Sequence, residues 1–298
     1  MRLWLGVMRT GTAALCLCAF VATADAGCQL RSSGPVAATH DGQVIELLSI
    51  KATPTQPAIT VKGFKNVIVR NCLIEHNTAG PGIEFTAATG LTIQNVSVTL
   101  VGAPTAGGPL PSAAAVGVSG TSTAGLNIER LRTTGGSSGV YLLSCPAAHL
   151  RFMQARNARG PFPRGQCVQF DKSPHSVLED FSCVNDVGRN VSWTEDNISV
   201  FQSDNVTVRR GLIDGNNSPS GDGVMVESGG STGKGCVIRT GLVEDVDAVH
   251  QVGSLADCRA PGAPKRPART AHLALGFESS CACFRCFARP VMVGFSIF

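Results

Sequence analysis

The chain has 298 residues and a net charge of +4, with charged side chains at 15%, aromatics at 5% and 34 glycines. Few long charged side chains beside many Gly, Ser, Thr, Asn and Val suit narrow strands and tight corners. The modest charge, with no aromatic residues interleaved among the basic ones, argues against nucleic acid as a partner.

Arg2 and Arg9 precede an apolar run over residues 12–22, and Ala24-Asp25-Ala26 offers a small-x-small cleavage site. Residues 1–26 therefore read as a signal peptide cleaved before Gly27, and the expected location is secreted or periplasmic. Past that segment no run approaches the roughly 20 apolar residues of a membrane span. Residues 27–56 are expected to form an N-terminal cap and a first partial rung, covering strand edges that would otherwise invite another chain.

From residue 57 to 253 one pattern recurs. Segments of the form apolar-x-apolar-x-(Asn or polar)-x-x-apolar begin at 67, 91, 126, 150, 176, 206 and 236. Each has a companion strand just before it, at 58–61, 82–85, 116–118, 139–142, 167–170, 198–201 and 223–226, with an eighth expected at 248–252. Both kinds of segment alternate with period two and so hide one face. Self-similarity at steps of about 24 to 35 residues, without helical periodicity, predicts an all-β, single-stranded parallel β-helix of about 7–8 rungs. Over residues 40–253 the chain resembles the right-handed parallel β-helices of the pectin-lyase-like kind.

Stacking places like residues one above another, so Asn71 and Asn95 are expected to form a ladder at a corner. Arg130, Gln154, Asp180, Arg210 and Thr240 are expected at that place in later rungs. Cys72, Cys167, Cys183 and Cys236 fall inside repeat strands, where they read as small buried hydrophobes rather than a disulfide framework. Cys281, Cys283 and Cys286 lack the His or Cys partners that would complete a zinc site. Residues 254–298, rich in Pro, Arg and Cys, follow no repeat and are expected to form an irregular tail.

Connections between rungs are long at 99–115, 158–166, 185–197 and 214–222. All follow the same strand, so they should leave one corner of the coil and wall a groove. The residues there suit a sugar polymer. Asp171, Glu195, Asp196 and Asp222 are candidate catalytic acids and bases. Gln166, Asn216, Asn217 and Glu227 would bind hydroxyl groups, and Trp193 would stack on a ring. No metal site is assigned.

Arg159-Gly160-Pro161-Phe162-Pro163-Arg164 resembles the Arg-x-Pro-x-x-Arg pattern of pectate lyases. That resemblance implies Arg159 as the base, Arg164 as the substrate clamp and calcium as cofactor. The Trp-x-Asp-His element expected beside it is missing, as are the Asn-Thr-Asp, Asp-Asp, Gly-His-Gly and Arg-Ile-Lys elements of polygalacturonases. Gly160 to Gln166, with Gln169-Phe170-Asp171, Glu195-Asp196-Asn197-Ile198-Ser199 and Ser218 to Gly223, resemble exported bacterial β-helix proteins of unassigned activity. The expected function is binding, with cleavage by a lyase or hydrolase mechanism in view, of an extracellular or cell-wall polysaccharide. The alternative is a non-catalytic surface or adhesion solenoid.

Overall fold

The computed structural model describes residues 29–54, 56–103, 107–186, 193–215, 223–227 and 241–249. The expected signal peptide, and the tail at 254–298, lie outside these. The described chain is all-β, a parallel solenoid of about seven turns.

Two sheets carry the coil. The larger has eleven strands, among them Ile68–His76, Thr92–Leu100, Asn127–Thr134, the pair His149–Arg151 and Gln154–Arg156, Val177–Val184, Val206–Asp214 and, at the edge, Gly241–Val249. The smaller runs through Val36–Ala37, Ile59–Lys62, Ile83–Thr86, Val118–Thr121, Val140–Leu143, Val168–Asp171, Ile198–Phe201 and Val224–Glu227. Neighbours within each sheet pair in parallel, and the chain passes from the larger sheet to the smaller and back once per turn. Residues 29–54 already supply strands to both sheets, among them Leu48–Lys51 and Val36–Ala37.

Period-two alternation sends one face of each strand inward. Val69, Ile93, Ile128, Leu150, Leu178 and Val208 are register partners in one column, and all are buried. A fully buried aliphatic side chain of this kind contributes roughly 1.5–3 kcal/mol, and such columns are what bind one turn to the next. In another column Gly120 sits between Phe85 and Leu142. A Cβ there would collide with the Phe85 ring, so the missing side chain makes room for an aromatic one.

The larger sheet bends at a column of residues with positive φ: Asn71 (54°), Asn95 (53°), Arg130 (55°), Phe152 (54°), Asp180 (54°) and Arg210 (51°). Asn tolerates this left-handed conformation, and the Asn95 side-chain amide donates to Asn71 Oδ1 at 3.2 Å. The ladder is as short as its two asparagines. Higher in the stack charge takes over: Glu179 accepts from Arg209 at 2.7 Å, Arg210 at 2.8 Å and His149 at 2.9 Å.

Four sequence expectations are corrected. Leu150 pairs with Ile128 and so holds the second apolar place of its repeat, which puts Phe152 rather than Gln154 at the corner. Val206 pairs with Gly241, so the last repeat begins at 241 rather than 236, and the place level with Arg210 falls between Glu244 and Val246. Ala248 and Val249 close that same strand, so no separate eighth companion strand begins at 248. Cys167 and Cys183, read as isolated hydrophobes, form a disulfide with Cα atoms 6.0 Å apart. Both point inward from opposite sheets, and a narrow coil brings such positions within bonding reach.

Candidate functional site

The four long connections all leave the end of a larger-sheet strand and enter the start of a smaller-sheet strand. They therefore share one corner, and where described they bond to one another or to the short turn at 135–139 between them. Ser137 Oγ donates to Ala113 O at 2.8 Å, Arg159 N to Gly136 O at 2.9 Å and Trp193 N to Ala158 O at 2.9 Å. Asn185 accepts from Ala158 N at 3.0 Å, while the buried Asn197 donates to Gly215 O at 2.9 Å.

These loops lean over the outer face of the smaller sheet. Gln169 and Ser199 point outward by alternation yet are buried, which a bare sheet face would not permit. Arg164 lies across Tyr141, its guanidinium carbon 3.5 Å from the ring centroid, and donates to Gln169 Oε1 at 3.1 Å. The Tyr141 hydroxyl donates to Asp171 Oδ2 at 3.2 Å. Burial raises the Tyr141 hydroxyl pKa; Arg164 works against that rise and Asp171 with it. Asp171 Oδ1 is buried without a hydrogen-bond partner among the described residues.

Glu195 stands beside this group. Burial raises its carboxyl above the usual range, and Glu227 raises it further. Glu227 is register partner to Phe201, which is partner to Asp171. At about 4.8 Å per strand, Asp171 and Glu227 stand roughly 10 Å apart along the backbone with Phe201 between them. Burial and the charge of Glu227 thus act together on Glu195, and a third acid, Asp171, is oriented by tyrosine.

Other predicted residues have different surroundings. Arg159 is buried, its Nε donating to Gly108 O at 2.9 Å, and that burial lowers its pKa. Gln166 is buried, accepts from the Ser138 hydroxyl at 3.1 Å and donates to Pro163 O at 3.2 Å. Both hold the loop in shape. Asp196 is buried next to Glu195, and Trp193 is 44% exposed. Asn216, Asn217 and Asp222 lie outside the described residues.

Sequence reasoning missed Tyr141, Phe162 and Phe201. A signal existed for the first: Tyr141 is the only tyrosine and holds the same outward place as Gln169 and Ser199. Farther along the same sheet a cleft of about 480 Å³ opens among Pro35, Pro54, Pro57 and Pro81, with the Lys62–Glu84 ion pair at its edge. Among the described residues, no three His, Cys, Asp or Glu come together in a way that could hold a metal ion.

No protein-family model matches the chain, and no curated protein or solved structure gives a significant match.

Proposed function

We propose that the loop-bearing face binds an extracellular or cell-wall polysaccharide and cleaves it by hydrolysis. The observation that carries this reading is Glu195, a carboxyl raised by burial and by the facing Glu227. A general acid near neutral pH needs that displacement, and the neighbouring carboxylate is the complementary base or nucleophile. Asp171, oriented by Tyr141, is the third acid of the face.

A lyase mechanism fits less well. Its base would be Arg159, which is buried and bonded to Gly108 O. Calcium belongs with that mechanism and not with the hydrolytic one. The pectin-lyase-like affiliation is supported by the coil and by the segments around Arg159, Gln169 and Glu195. Export is supported by the character of residues 1–26 and by the Cys167–Cys183 disulfide, since such bonds persist in oxidising compartments.

The second reading, a non-catalytic surface or adhesion solenoid, is favoured by the scaffold contacts of Arg159 and Gln166. One experiment separates the two. The purified protein and its Glu195→Gln variant are incubated with plant and bacterial polysaccharides, and reducing ends and unsaturated products are assayed. Hydrolysis predicts new reducing ends without unsaturation, falling about 100-fold or more in Glu195→Gln. Binding without turnover leaves the non-catalytic reading, and unsaturated products would establish the lyase.

A further inference from the structure

The loop-bearing face has a second chemical character besides acidity. Phe162 occupies the tip of a turn that Arg164 N closes on Pro161 O at 2.8 Å, and it is 75% exposed. On the next loop Trp193 is 44% exposed, and a Cβ placed on Gly160 would lie 3.5 Å from Trp193 Cδ1. The two aromatics therefore rise from adjacent, touching loops. Phe152, the remaining exposed aromatic among the described residues, has Arg130 and Arg151 over its ring at 5.8 and 5.5 Å and lies on the other sheet. Below the two loops, Tyr141 and Phe201 are half-exposed on the smaller sheet. In a chain with 5% aromatics, this is a marked concentration on one face.

Among the described residues of that face, basic groups do not outnumber acidic ones. Asp171, Glu195, Asp196 and Glu227 are acidic. Of the arginines, Arg159 is buried against Gly108 O, while Arg164 is stacked on Tyr141 and bonded to Gln169. Lys172 follows Asp171 and is exposed at the far end of its strand. A face with no excess of positive charge offers no net attraction to a polymer with a carboxylate on each sugar, whereas an uncharged chain needs none.

Resting on the polysaccharide reading above, we infer that the polymer is neutral, and that the apolar faces of its sugar rings stack on Phe162 and Trp193. The aromatics supply apolar area, and the carboxyl groups supply hydrogen bonds to hydroxyls. The proposal reverses what the Arg159–Arg164 pattern suggests, since a pectate-type substrate is acidic.

The test measures binding of cellohexaose, xylohexaose, mannohexaose and hexagalacturonate by calorimetry at low salt. It uses the full chain and the Phe162→Ala and Trp193→Ala variants, with circular dichroism to confirm folding. The expected result is that one of the neutral oligosaccharides binds, and that hexagalacturonate binds about tenfold more weakly or not at all. Each aromatic variant should weaken the neutral ligand by about tenfold while leaving the fold intact. Equal or tighter binding of hexagalacturonate overturns the inference and leaves the polysaccharide reading standing. Unchanged neutral binding in both aromatic variants overturns the stacking. If none of the four binds, the inference falls together with the polysaccharide reading.

Discussion

Burial raises the carboxyl pKa of Glu195, and Glu227, one coil further on, raises it again. A like-charge neighbour is removable, so its share can be measured. Glu227→Gln should move the Glu195 titration toward the ordinary carboxylate range while leaving the share due to burial. Carboxyl carbon NMR across pH reads this directly, and an unmoved titration would sink the pairing. The sign for stability follows. A raised acid contributes stability that is present below its unfolded pKa and is lost as pH rises through the folded value. Glu195→Gln should therefore raise the denaturation midpoint at pH 7 but not near pH 4.

Glu179 behaves in the opposite sense. Burial disfavours its charge, yet hydrogen bonds from Arg209, His149 and Arg210 outweigh burial and bring its pKa to about 2. A depressed acid contributes stability above its unfolded pKa that is lost as pH falls through the folded one. Glu179→Gln should cost about 1–3 kcal/mol at pH 7, because the charged donors exchange an anionic acceptor for a neutral amide. The cost should shrink progressively from about pH 4.5 toward pH 2. Urea titrations of both proteins at several pH values check this; a constant difference would show that packing, not charge, is at work.

Strand positions were legible because period-two burial is local. Ile198–Phe201 begins and ends where the alternation places it, and the boundaries of the other companion strands up to Val224–Glu227 shift by one to three residues. The corner at Phe152 was not legible. Apolar alternation favours Leu150 and Phe152 as the inward pair, but Ala148 and Leu150 are the buried ones, and Phe152 points outward at 45% exposure under Arg130 and Arg151. A small buried alanine and a large capped phenylalanine invert the usual cue. The shared flank of the long loops was legible from their position after the same strand. The resting of Arg164 on Tyr141, and the facing of Glu195 and Glu227, depend on how each loop folds back over the sheet, which no periodicity encodes. Cys167 and Cys183 looked like core residues because they are core residues; only stacking geometry reveals that they meet.

The Cys167–Cys183 disulfide spans 16 residues of sequence and links the two sheets across the interior. Loop-closure entropy gives such a bridge about 3 kcal/mol. The Asn197 amide donates to Cys183 Sγ at 3.3 Å as well as to Gly215 O, so the bridge also sits under the loop that carries Glu195. Reduction, or Cys183→Ala, should lower the urea midpoint correspondingly and increase proteolysis within residues 185–197. A midpoint insensitive to reductant, with mass spectrometry showing free thiols in the native protein, would refute the bridge.

The most specific packing prediction concerns Gly120 and Phe85. They are partners on adjacent strands, pointing inward, and a Cβ at 120 would strike the Phe85 ring. Phe85 is fully buried, so its ring has no exit to solvent. Gly120→Ala should then destabilise by about 1–3 kcal/mol, the usual cost of overpacking, even though alanine suits a strand better than glycine. Phe85→Leu alone should also destabilise, because it leaves a gap. Together the two changes should cost less than their sum, since the shorter leucine vacates the space that the alanine methyl fills. A double-mutant cycle by urea denaturation measures the coupling. Simple additivity would mean that the two residues do not share a volume, and that the stacking register of the smaller sheet is different from the one described.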